Sequence, residues 1–116
     1  MNSSSLPHDL NITNKQAQRL IYYIQGYRRF AWENIEPSAE RNAALRALQA
    51  LHGRIVSKMD QRDEYIILSL MPEEHIAMKM MVNNILGYYE MSPATRERAF
   101  ATADLTALKT FLDDKA

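Results

Sequence analysis

Apolar positions along this chain switch between two periods. In the middle, Tyr65, Ile66, Ile67, Leu68 and Leu70 form a run of mostly β-branched or large apolar residues, too short for a typical helix. Pro72 follows and disfavours helical backbone at Met71. The pattern predicts a strand over 65–70; continuation of the preceding helix through 64–71 is the alternative. Beyond Pro72 the spacing becomes helical, with Met78, Met81, Val82, Ile85 and Tyr89 on one stripe. Glu73 and Glu74 suit the positive end of a helix dipole, so a helix is expected over 72–90.

The first half carries a fainter version of the same order. Residues 9–13 predict a short extended piece with Leu10 and Ile12 on one side, after a polar N-terminal tail over 1–8. Thr13 and Gln16 have the spacing of a capping box, which opens a helix reaching about Glu33. Its expected buried face is Ala17, Leu20, Ile21, Ile24, Ala31 and Ile35, with Tyr27 at the edge. Pro37 is expected at the first turn of a second helix over 37–58, with Ala44, Leu45, Leu48, Leu51, Ile55, Val56 and Met59 buried. The short spacer between these helices makes them neighbours. Residues 60–63 are a polar break. Ser92-Pro93 opens a last segment whose stripe is Ala101, Leu105, Leu108 and Leu112, with Phe111 as a further anchor. Thr102 is a second possible start for it, so 94–102 reads as either helix or loop.

A shift of 58 superimposes Leu10 on Leu68, Ile12 on Leu70, Thr13 on Met71, Gln16 on Glu74, Leu20 on Met78 and Ile24 on Val82. A shift of 60 then matches Leu45, Leu48 and Leu51 with Leu105, Leu108 and Phe111. The expected fold is mainly α. It is a four-helix bundle-like single domain over 9–114, with two strand-helix-helix repeats at 9–59 and 64–113 and a short two-stranded ribbon. A lone strand in each repeat needs a partner for its backbone groups, either its counterpart or a strand of a second chain.

Composition changes this picture little. The 116 residues suffice for one core, and three glycines and four prolines favour a few long helices. Cysteine is absent, which excludes disulfides and thiolate chemistry. That usage, with no signal-peptide pattern and no long apolar run, points to a cytoplasmic protein outside the membrane. Zero net charge hides an asymmetry: residues 1–62 hold nine basic and five acidic side chains, a balance of +4, and 63–116 hold the reverse. Two readings follow: faces that are simply solvated, since exposed pairs are typically worth only ~0–1 kcal/mol, or halves that attract each other within one chain or between two.

Candidate chemistry is sparse. His8, His52 and His75 fall in no metal-binding spacing, and Glu74-His75 lacks a second histidine four residues on. Glu73 and Glu74 are explained by a helix start, with Asp63 nearby, and no glycine-rich phosphate loop exists. No catalytic residue, metal or cofactor is expected, and the chain reads as a non-enzyme. Met71, Met78, Met80, Met81 and Met91 form a methionine-rich zone, either core filling or an adaptable surface.

Tyr22, Tyr23, Tyr27, Arg28, Arg29, Phe30 and Trp32 interleave aromatic and basic side chains. Helical geometry puts Arg28, Arg29 and Trp32 on one face, with Tyr23, Tyr27 and Phe30 on another. The first reading is a self-associating protein–protein interaction module, a homodimer or the binder of a protein partner, using Tyr22, Tyr23, Phe30, Trp32 and Met80. The second is a nucleic-acid-binding accessory protein using Lys15, Arg28 and Arg29 with Trp32.

Overall fold

Two strands of six residues lie at equivalent places in the two halves, each running directly into a helix. The computed structural model describes residues 8–59, 64–90 and 96–114, with the side chains of His8, Tyr89, Glu90 and residues 96–100 outside that description. The order is β1 (His8–Thr13), α1 (Asn14–Asn34), α2 (Ala39–Met59), β2 (Tyr65–Leu70), α3 (Pro72–Glu90) and α4 (Arg96–Asp114). The protein is thus mainly helical, with one two-stranded antiparallel ribbon. Residues 65–70 are strand, not a continuation of helix. Of the expected tail over 1–8, His8 belongs to β1 and residues 1–7 lie outside the described residues, as do the polar break at 60–63 and the joint at 91–95, Met91 included.

The ribbon pairs His8 with Leu70, Leu10 with Leu68 and Thr13 with Tyr65. Its period of two divides its faces: Leu10, Ile12, Ile66, Leu68 and Leu70 are buried, while Asp9, Asn11, Tyr65, Ile67 and Ser69 point outward. Ser69 Oγ donates across the strands to Asp9 Oδ1 at 2.7 Å. The partner of each strand is therefore its counterpart in the same chain.

Both ribbon strands end in a helix cap. The Thr13 hydroxyl accepts from the Gln16 N–H (3.1 Å) and Gln16 Oε1 accepts from the Thr13 N–H (2.8 Å), completing the capping box. At α3 the Glu74 carboxylate accepts from the Met71 N–H at 2.9 Å, the same half of the device, 58 positions later. Helix α2 begins differently from expectation. Ser38, not Pro37, marks its start, because the Ser38 hydroxyl accepts from the Arg41 N–H (3.0 Å) and satisfies a donor the helix cannot. Pro37 sits outside the helix. Helix α4 starts at Arg96, so Thr102 is interior and caps nothing.

The helices pack in chain order, α1 on α2, α2 on α3 and α3 on α4. One continuous core results. It takes Leu20, Ile24 and Ala31 from α1, Leu48, Leu51 and Ile55 from α2, Met78, Met81 and Val82 from α3, and Leu105 and Leu112 from α4. Each such large side chain contributes about 1.5–3 kcal/mol by leaving water. Tyr27, expected at the edge, is only 3% exposed and belongs to this core. Ile21, Ile35, Leu45, Ile85, Leu108 and Phe111 pack partly buried around it, and Val56 is exposed. His75 is buried at the α3–α4 contact, where its Nε2–H donates to the Leu112 carbonyl at 2.9 Å.

The buried stripes of α2 and α4 run in phase at an offset of 57, pairing Ala44, Leu48 and Ile55 with Ala101, Leu105 and Leu112. At the expected offset of 60, partly buried Leu45 meets fully buried Leu105. Among the described residues no helix is long and apolar enough to cross a membrane.

Candidate functional site

Helix α1 presents a different chemistry toward each neighbour. Toward α3, Tyr22, Tyr23, Gly26, Tyr27 and Phe30 meet Asn84, Ile85 and Tyr88 around an aromatic groove of about 250 Å³. Tyr22, Gly26 and Phe30 are four residues apart, so they stack along one line of the helix. Gly26 leaves that line open in the middle, since nothing lies within 4 Å of where its Cβ would be. Tyr22 is 75% exposed, Tyr88 59% and Phe30 42%. Phe30 meets Tyr88 edge to face, with centroids 6.4 Å apart. Beneath them the Tyr27 hydroxyl accepts from Asn84 Nδ2 at 2.8 Å. Burial holds the Tyr27 phenol above its ordinary pKa, opposed by that hydrogen bond.

Toward α2, Gln25, Arg28, Arg29 and Trp32 of α1 face Asn42, Leu45, Arg46 and Gln49 of α2 across a wider groove of about 740 Å³. The spacings on both helices (25, 28, 29, 32 and 42, 45, 46, 49) are one helical stripe each, brought together by the short joint. Arg41 anchors that joint. It is 5% exposed, its Nη1 donates to the Ile35 carbonyl (3.0 Å), and its Nε and Nη2 donate to Asn42 Oδ1 (3.1 and 2.8 Å). Its guanidinium lies over the Trp32 ring, 4.7 Å from the centroid. A third concavity of about 530 Å³ runs between β1, α1 and α4. At its edge Asp104 accepts from Arg19 Nε (2.5 Å), Arg19 Nη2 (3.1 Å) and the Tyr23 hydroxyl (2.9 Å).

The residues singled out in the sequence therefore separate. Tyr22, Tyr23 and Phe30 share the aromatic groove, but Tyr23 is half-buried and spends its hydroxyl on Asp104. Trp32 leaves that group and joins Arg28 and Arg29 in the basic groove. Met80 is partly buried against the core. Lys15 is exposed in the first turn of α1, about 20 Å along the helix from Arg28 at ~1.5 Å per residue.

Sequence reasoning missed Tyr88 and Asn84, which come from α3, and Arg46, Asn42 and Gln49 from α2. The α2 set was legible in principle, as a polar stripe opposite a clear buried one and close to α1 in the chain. The α3 set was not, because it depends on how distant helices meet. Among the described residues no group of three or more His, Asp or Glu side chains is placed to hold a metal ion.

Comparison with protein-family models, with curated proteins and with solved structures finds no match to this chain.

Proposed function

We propose that this protein is a non-enzymatic protein–protein interaction module that self-associates through the aromatic face shared by α1 and α3. The observation that carries this reading is the exposure of Tyr22, Phe30 and Tyr88 around one apolar groove with an open floor at Gly26. Large aromatics supply contact area at little entropic cost and are the residues most enriched at interface hot spots. Across a two-fold axis, Tyr22 of each copy would enter the groove of the other, closing the assembly at two chains. Tyr23, tied to α4, supports the face from behind, and neither Trp32 nor Met80 belongs to it.

The same proposal takes residues 9–59 and 64–113 as two copies of one strand-helix-helix unit within a bundle-like domain over 9–114. The support is the shared cap geometry at Thr13 and Met71 and the cross-strand pairing of Leu10 with Leu68, which a two-fold axis through the ribbon requires. The two strands pair with each other inside one chain, so this reading places self-association on the helix faces.

Size-exclusion chromatography with light scattering tests the function. The expected result is a dimer mass that persists at high salt. Tyr22→Ala with Tyr88→Ala should raise the dissociation constant by roughly 30-fold or more, the effect of losing one hot spot of about 2 kcal/mol. A monomer at every concentration, or a dimer indifferent to that double substitution, overturns the reading.

A further inference from the structure

The α1–α2 groove carries chemistry that self-association leaves unused. Its volume of about 740 Å³ falls within the roughly 300–1,000 Å³ typical of ligand sites. Three guanidinium groups line it, those of Arg28, Arg29 and Arg46, and no acidic side chain does. Among the described residues Arg29 alone of the three has an ion pair, to Glu33 at 3.5 Å, with both side chains well out in solvent. Arg28 and Arg46 have none among the described residues. Trp32, 67% exposed, also lines the groove, and the buried Arg41 guanidinium beneath its ring holds the indole in place. Arg41 fixes a second group as well. By donating twice to Asn42 Oδ1 it orients that amide so that its N–H donors remain for an incoming acceptor.

We infer that this groove binds a nucleoside phosphate, with the base stacked on Trp32, its edge read by Asn42, and the phosphate held by Arg28 and Arg46. Each partner fits by its own chemistry. A planar guanidinium matches phosphate oxygens, an indole face matches a base, and an amide matches base carbonyls and ring nitrogens. A free nucleotide and one residue of a single strand present the same group. An acidic peptide would use the cations and leave Trp32 idle. A duplex keeps its bases stacked within. The ribbon has the width to enter a major groove, but its outward positions Asp9, Asn11, Tyr65, Ile67 and Ser69 include an acid and no cation.

Trp32 is the only tryptophan, so its fluorescence reports on this groove directly. Adenosine monophosphate and a short oligothymidylate are each titrated against the whole chain, with adenosine and inorganic phosphate as separate controls. Saturable quenching is expected from at least one of the first pair. Equal affinity for both assigns a free nucleotide. Tighter binding of the oligonucleotide, with a log–log salt slope of about −1.4 for the two cation contacts, assigns a strand. Arg28→Ala with Arg46→Ala should weaken the binding by about tenfold or more with the circular dichroism unchanged. If that variant does not fold, Arg28→Lys with Arg46→Lys keeps the charge, removes the planar fork and should still weaken binding. No saturable quenching, equal binding of adenosine or phosphate alone, or unchanged affinity in a folded variant overturns the inference. Tyr22→Ala with Tyr88→Ala should leave the quenching intact, so this site and the self-association face fail separately.

Discussion

Arg41 shows how one side chain settles a joint between helices. Buried, without an acidic partner among the described residues, it spends its donors on the Ile35 carbonyl and Asn42 and lies over Trp32. Arg41→Ala should cost about 2 kcal/mol in chemical denaturation, combining a charge-assisted hydrogen bond with a cation–π contact, and should alter the Trp32 emission of the native state. Tyr27 makes a second prediction. Its folded-state pKa is raised by burial, so the folded state holds the phenolic proton more tightly than the unfolded chain does. The contribution is complete below the ordinary tyrosine value of about 10 and is lost as pH rises through the higher folded value. Stability should therefore decline above roughly pH 10, and Tyr27→Phe should flatten that limb while losing the bond from Asn84. Neither role was legible in the sequence. Arg41 looked like one charge among many, and Tyr27 lay at the border of a stripe where a turn of a few degrees decides burial.

At the scale of elements the sequence was more explicit, because caps and periodicity are local. Thr13 and Gln16 announced the start of α1, and the β-branched run before Pro72 announced β2. Thr13→Ala should cost about 1 kcal/mol, since it leaves the Gln16 N–H without its acceptor. What misled was proline at a helix start. Pro37 fits a first turn, but the neighbouring Ser38 hydroxyl offers a hydrogen bond that proline lacks, and the helix begins after it. The offset between α2 and α4 is ambiguous in the sequence because leucines spaced by three residues match at several shifts. Gly53 stands in the interior of α2 with open space where a Cβ would lie. Gly53→Ala should stabilise the protein by about 0.5–1 kcal/mol, measured as a higher denaturation midpoint with unchanged slope.

Across the whole molecule, two ion pairs among the described residues join the basic half of the chain to the acidic half. Arg19 and Arg54 of the basic half pair with Asp104 and Glu74 of the acidic half. Arg54 also donates to the Ser69 carbonyl, so one guanidinium joins α2, β2 and α3. Asp104 receives both Arg19 and Tyr23 and is the polar tie between α1 and α4. Asp104→Ala should cost about 1–2 kcal/mol, discounted because Arg19 remains in contact with solvent, and the difference from the parent chain should shrink in high salt. The charge counts were plain in the sequence, but which pairs form was not, since each joins residues far apart in the chain. That distance has a consequence for synthesis. At roughly 5–20 residues per second, β1 leaves the ribosome several seconds before β2 exists. For that interval Leu10 and Ile12 ride on a strand with both edges open, and closing the loop to the later strand carries its own entropic delay. The nascent chain is then most exposed to mispairing, and the nearest intruder by position is the same strand on the next ribosome of the same message.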